Sequence, residues 1–110
     1  MNKFRRKEIM KIILQLNKIL SNLSNYTTEE LINLINDILI MLTDVFDDEE
    51  MAMDNTPENL QGSSRYEESE YACEVLSESI EELEEIDEYY SKSDIENKIS
   101  GIIDSLSNCI

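Results

Sequence analysis

The spacing of the apolar residues is the feature that most restricts the fold of this chain. In four segments, isoleucine, leucine and valine recur at steps of three and four residues, which places them along one side of an α-helix. No segment alternates between apolar and polar residues with the period of two that is typical of a half-buried strand. The chain has two glycines and one proline, which favours long helices over tight turns. We therefore predict an all-α fold, built as a helical bundle.

Capping patterns predict where the helices begin. Three times, a serine or threonine stands three residues before a glutamate, just ahead of an apolar run. In this capping box the hydroxyl and the carboxylate satisfy free backbone N–H groups at the helix start. The three boxes are Thr27–Glu30, Ser64–Glu67 and Ser93–Glu96.

These signals predict three long helices, at about 3–23, 28–53 and 65–90, and a shorter C-terminal helix at about 94–108. The connecting segment 54–64 holds the single proline, Pro57, and we expect Leu60 within it to close the end of the core. A length of 110 residues predicts one domain, 1–110. The first two helices are apolar over more than about 100° of their surface. A homodimer would cover the excess, and a monomer remains open.

The charges are separated along the chain. Six of the nine basic residues lie in the first eighteen positions, whereas 24 carboxylates face three bases from Ile19 onward. An acidic surface of this size repels nucleic acid and membranes and attracts basic proteins or cations. We expect the basic start (Lys3, Arg5, Arg6 and Lys7) to pair with an acidic helix.

The carboxylates of the third helix recur at helical spacing, so that they form one exposed ridge. One interpretation is a mimic of the phosphate backbone, which binds the basic groove of a protein that handles nucleic acid. The alternative is a solvated helix face that keeps a small protein in solution. The predicted partner-binding residues, which include three from the second helix, are Glu67, Glu70, Glu74, Glu78, Glu81, Glu82, Glu85, Asp47, Asp48 and Glu49.

Histidine, the residue used most often in acid–base catalysis, is missing. Without histidine there is no histidine acid–base relay and no zinc site of the usual kind. Glu67-x-x-Glu70 and Glu84-x-x-Asp87 resemble the paired acidic motifs that hold magnesium in all-α nucleotide pyrophosphohydrolases, but those motifs sit on two facing helices, and here one helix carries both. We predict a protein that is not an enzyme, with no catalytic residues, no cofactor and no metal.

The chain also lacks signals for export. The longest apolar stretch, Ile38 to Leu42, is too short for a membrane span, and no cleavage site follows the basic start. Cys73 and Cys109 stand far apart and outside any Cys-x-x-Cys spacing. We expect a cytoplasmic protein with reduced thiols.

The segment from Asp54 to Arg65 reads Asp-Asn-Thr-Pro-Glu-Asn-Leu-Gln-Gly-Ser-Ser-Arg. It resembles a signature, Asp-Asn-x-Pro-Glu-x-Leu-Gln-x-Ser-x-Arg, found in small acidic helical proteins of Gram-positive bacteria, their phages and prophages. Together with the third helix the resemblance covers roughly a third of the chain. It implies a helical hairpin and a mobile-element setting, without supplying an activity.

These observations predict a non-catalytic interaction protein of phage type. It would bind a basic host protein such as a defence nuclease, similar in character to anti-CRISPR and anti-restriction inhibitors, in the cytoplasm of the host cell. A first alternative is a structural or assembly protein that forms homo-oligomers through the first two helices, where polar changes at Ile12, Leu16 or Leu39 would abolish activity. A second is an antitoxin-like partner of a basic toxin.

Overall fold

Four α-helices make up almost the whole chain in a computed structural model that describes residues 1–110. They are α1 (Lys3–Ser21), α2 (Thr28–Asp54), α3 (Ser64–Glu84) and α4 (Lys92–Asn108). Single turns of 3-10 helix lie in two of the connections, at Leu23–Asn25 and Glu58–Leu60. No strand is present, and the predicted all-α bundle is confirmed.

The helices form a ring in which each packs against its two neighbours. The contacts join α1 to α2, α2 to α3, α3 to α4, and α4 back to α1, so α1 and α3 lie diagonally across the bundle. Successive helices run in opposite directions. The starts of α1 and α3 therefore share one end of the bundle with the last turns of α2 and α4, and we call this the Met1 end. The molecule measures 51 × 21 × 18 Å.

One apolar core runs along the axis of this ring. Every helix contributes isoleucine or leucine side chains with almost no exposed surface, among them Leu16, Leu42, Leu76 and Ile99. On α3 the buried side includes Val75 and Ser79 beside Leu76 and Leu83. The whole cluster comprises Ile9, Ile12, Leu16, Ile19, Leu23, Leu31, Ile35, Ile38, Leu42, Val45, Val75, Leu76, Leu83, Ile86, Ile95, Ile99, Ile102 and Leu106.

The first predicted capping box is present as expected. The Thr27 hydroxyl accepts a hydrogen bond from the Glu30 N–H at 3.1 Å, and the Glu30 carboxylate accepts one from the Thr27 N–H at 3.1 Å. The prediction of the other two capping boxes is wrong, because a serine that stands earlier in the sequence caps each of these helices. Ser63 accepts from the N–H of Tyr66, and Ser91 accepts from the N–H of Asp94. Serines at neighbouring positions offer the same hydroxyl, so the capping chemistry alone does not choose between them.

Helix α3 ends at Glu84, six residues before the predicted end at Tyr90. Its last turn carries carboxylates and no base, which is unfavourable at the negative end of a helix dipole. Beyond it, the Asp87 carboxylate accepts a hydrogen bond from the Tyr89 N–H at 2.9 Å, a local turn that competes with helix. Ile86 still reaches the core from this connection.

The connection between α2 and α3 lies on the outside of the bundle. Leu60 is 49% exposed, so the prediction that it closes the core is wrong. Arg65 is exposed and has no carboxylate within ion-pair distance. At this end of the bundle the buried side chain of Glu49 on α2 contacts Arg5 on α1.

A candidate partner-binding face on the third helix

The outer side of α3 carries a continuous row of carboxylates. Glu67, Glu70, Glu74, Glu78 and Glu81 are all exposed, and we call them the acidic face. At about 100° per residue they fall within a sector of about 80°, opposite the buried side that carries Leu76 and Leu83. None of the five takes part in an ion pair.

Glu82 and Glu85 border this face in different ways. Glu82 is exposed within the last turn of α3. Glu85 directly follows the last residue of α3 as its C-cap, and its carboxylate lies 2.5 Å from the Nζ atom of Lys98 on α4. This hydrogen bond raises the pKa of the Lys98 ammonium group above its ordinary value. The Lys98 ammonium also lies 5.9 Å from the centre of the Tyr90 ring. Glu85 is therefore partly neutralised within the chain.

The acidic residues predicted on α2 do not join the acidic face. Asp47 and Asp48 are exposed, but they line a groove between α1 and α2 together with Phe4 and Met41. That groove lies on the side of α2 away from α3. The ten predicted residues therefore do not form one surface.

The prediction that Glu49 binds a partner is wrong, because the side chain of Glu49 has no exposed surface. Its Oε2 atom lies 2.5 Å from Nε of Arg5, and its Oε1 atom lies 3.6 Å from the amino group of Met1. A carboxylate in this position cannot contact a partner protein. The sequence did carry a signal, since Glu49 stands four and seven residues after the buried Val45 and Leu42, on the apolar stripe of α2.

The same contact confirms one expectation about the basic start of the chain. Arg5 pairs with an acidic helix of its own molecule, as predicted, and joins the first turn of α1 to the last turns of α2. Lys11 pairs with Glu8 on α1 itself, at 3.1 Å. Lys3, Arg6 and Lys7 have no carboxylate within ion-pair distance.

The two thiols are unreactive in these surroundings. Cys73 is buried and Cys109 half-buried, and both are free. Burial, reinforced by the nearby Glu49 and Glu50 carboxylates, raises the pKa of the Cys73 thiol to about 11. Burial likewise raises the pKa of the Cys109 thiol to about 11. Both therefore stay protonated at neutral pH and are poor nucleophiles and metal ligands.

No three carboxylate or thiol groups come together in an arrangement that would hold a metal ion. None of the four helices combines the length and the apolar character needed to cross a membrane. No protein-family model, curated protein or solved structure matches the chain.

Proposed function

We propose that this chain is a non-catalytic interaction protein that binds a basic surface of a nucleic-acid-handling protein through the acidic face of α3. The observation that carries the proposal is the row of five exposed carboxylates without one ion pair. Like charges one turn apart destabilise a helix by a few tenths of a kcal/mol per pair. This cost is offset if a basic partner neutralises the row.

The spacing of the row supports a likeness to nucleic acid. From Glu67 to Glu81 the helix rises by about 21 Å, at 1.5 Å per residue. Over that length one strand of a DNA duplex presents about six phosphates, at roughly 3.4 Å each along the axis. Five carboxylates on one side of α3 therefore offer a density of negative charge close to that of one strand. A groove that recognises phosphates through arginine and lysine would accept it.

The rest of the surface favours a protein as the partner over nucleic acid itself. The chain has a formal charge of −16, which opposes the approach of a polyanion. Segment 54–65 resembles a signature of small acidic proteins of phages and prophages. For a protein in that setting we propose a defence nuclease of the host as the partner. An antitoxin-like role against a basic toxin would use the same face.

The test compares two variants with the same change in charge. In one, Glu74, Glu78 and Glu81 become glutamine; in the other, Asp37, Asp44 and Asp104, exposed residues outside the acidic face, become asparagine. We expect immobilised wild type and the asparagine control, but not the glutamine variant, to capture the same basic protein from a host lysate. Duplex DNA should displace that protein from the immobilised chain. Equal capture by both variants, or capture that DNA does not affect, would contradict the proposal.

A separate observation favours a second function, self-assembly. Three apolar side chains of α1 lie largely in solvent: Phe4, Met10 and Leu14 are 63%, 54% and 68% exposed. The predicted contacts Ile12 and Leu16 are fully buried inside one chain, so assembly would have to use these exposed residues instead. Sedimentation velocity of wild type and Leu14→Glu distinguishes the two cases. If wild type is an oligomer and the Leu14→Glu variant is a monomer, self-assembly is supported. If wild type is a monomer at tens of micromolar, self-assembly is contradicted.

A further inference from the structure

The Met1 end of the bundle holds a cavity whose charge is opposite to that of the molecule. Its volume is about 600 Å³, and it lies between the first turn of α1, the end of α2 and the start of α3. Four of the nine basic residues of the chain line it, namely Lys3, Arg5, Arg6 and Arg65, against one acidic residue, Glu68. The volume falls within the range of about 300–1,000 Å³ that is typical of small-molecule sites.

Most of the basic groups around this cavity are free. Arg5 is occupied by Glu49, whereas Lys3, Arg6 and Arg65 have no carboxylate within 4 Å. Apart from Arg5, Lys11 and Lys98, the six other basic side chains of the molecule form no ion pair. Three of these six stand around one cavity, and its single lining carboxylate, Glu68, pairs with none of them. An anion that enters the cavity would supply their counter-charge.

The uncharged part of the lining adds polar and apolar contacts. Ser63, Thr56 and Ser69 contribute hydroxyl groups, and Leu60 and Tyr66 contribute an apolar side. The exposure of Leu60, which is 49%, leaves its surface available to a ligand. The cavity also lies at the starts of α1 and α3, where the positive ends of two helix dipoles favour negative charge.

We propose that this cavity binds a phosphorylated small molecule of mononucleotide size. Its phosphate is held by the guanidinium groups of Arg6 and Arg65, assisted by Lys3, and its apolar or aromatic part lies against Tyr66 and Leu60. Arginine suits this role because its planar fork of N–H donors matches the oxygens of a phosphate. The site is separate from the acidic face of α3 and is independent of the function proposed for that face.

The acidity of the remaining surface favours a small ligand over a polymer. At physiological ionic strength charges are screened over about 8 Å, so a ligand contained in the cavity senses mainly the bases around it. A nucleic acid strand would leave the cavity and run along surfaces that carry an excess of carboxylates. The cavity thus accepts an anion that the rest of the molecule repels.

The test is a calorimetric titration of the full chain with AMP, GMP, UMP and inorganic pyrophosphate, and with adenosine as the matched compound without phosphate. We expect a phosphate-bearing compound to bind and adenosine not to bind. The variant Arg6→Gln/Arg65→Gln should weaken this binding by about tenfold or more for each guanidinium removed. The control Lys18→Gln/Lys92→Gln removes the same charge at the opposite end of the bundle and should leave the affinity within about twofold.

All four positions are exposed on helix surfaces, so both variants are expected to fold, and their circular dichroism checks this. Absence of binding by every phosphate compound at millimolar concentration would overturn the proposal. Equal weakening by the two variants would also overturn it, because the binding would then follow net charge and not the cavity. If adenosine binds with the affinity of AMP, the phosphate contributes nothing to binding and the proposal is also overturned.

Discussion

The buried ion pair between Arg5 and Glu49 leads to the sharpest prediction about stability. Removing one partner of a buried pair leaves a charge without compensation and costs about 3–5 kcal/mol. The Glu49 carboxylate is fully buried, while the Arg5 side chain is 15% exposed and the Met1 amino group lies 3.6 Å from the second carboxylate oxygen. These two facts lower the expected loss for Arg5→Met to about 2–4 kcal/mol. For a domain with a stability of about 5–15 kcal/mol this loss is large.

The complete comparison is a double-mutant cycle. Replacing both members, as Arg5→Met/Glu49→Met, removes the buried charge together with its partner, and we expect stability within about 1 kcal/mol of wild type. Glu49→Met alone leaves an arginine that can turn toward solvent, so its loss should be about 1 kcal/mol. The double variant is therefore expected to be more stable than Arg5→Met by about 2 kcal/mol.

Urea unfolding followed by circular dichroism at 222 nm measures all four proteins, and the slope with urea checks that each unfolds in two states. A loss below about 0.5 kcal/mol for Arg5→Met, with an unchanged slope, would refute the reasoning. The carboxylate of Glu49 would then be hydrated in solution, contrary to its complete burial in the structure.

Three further predictions concern the core, the charges and the thiols. Leu76→Ala removes a side chain with no exposed surface and should cost about 2–5 kcal/mol in urea unfolding, whereas Leu14→Ala at the surface of α1 should cost less than about 1 kcal/mol; similar losses would contradict the packing described. Sodium chloride should raise the melting temperature of wild type, because it screens the repulsion between like charges one turn apart. At low salt the variant Glu74→Gln/Glu78→Gln should melt at a higher temperature than wild type, and its melting temperature should change less when salt is added. The raised pKa of Cys73, about 11, means that above pH 9 the unfolded chain loses the thiol proton while the folded chain keeps it. Stability should therefore fall by about 1.4 kcal/mol per pH unit between pH 9 and 11 on account of this thiol, and a Cys73→Ala variant with the same fall in urea unfolding would contradict it.

Most of the fold could be predicted from the sequence, because helix formation in this chain follows local rules. The steps of three and four residues in the apolar runs identified each helix, and the box at Thr27 and Glu30 located the start of α2 to the residue. The predicted caps of α3 and α4, Ser64 and Ser93, were wrong, since Ser63 and Ser91 offer the same hydroxyl group one and two residues earlier. Only the tertiary arrangement selects among such equivalent caps.

The candidate site was harder to predict, because it depends on which helices are neighbours. The acidic face follows from the periodicity of α3 alone, and the structure places it on the outside as that periodicity indicates. The position of Glu49 on the apolar stripe of α2 indicates its burial, but its partner does not follow in the same way, since Arg5 is 44 residues away in sequence. The basic cavity likewise gathers residues from α1 and from the start of α3, which only the fold brings together.

The diagonal placement of α1 and α3 gives the molecule an electric dipole moment across its short dimension. The exposed Lys7, Lys11 and Lys18 lie on α1, and the unpaired glutamates lie on α3, which has only marginal contact with α1. An approaching basic surface exerts a torque on such a dipole and turns α3 toward itself before contact. The bundle is 18–21 Å thick, more than twice the screening length of about 8 Å, so the two sides do not cancel each other. The side of the bundle that a partner approaches therefore determines whether an encounter complex forms. The net charge of the whole chain does not predict this.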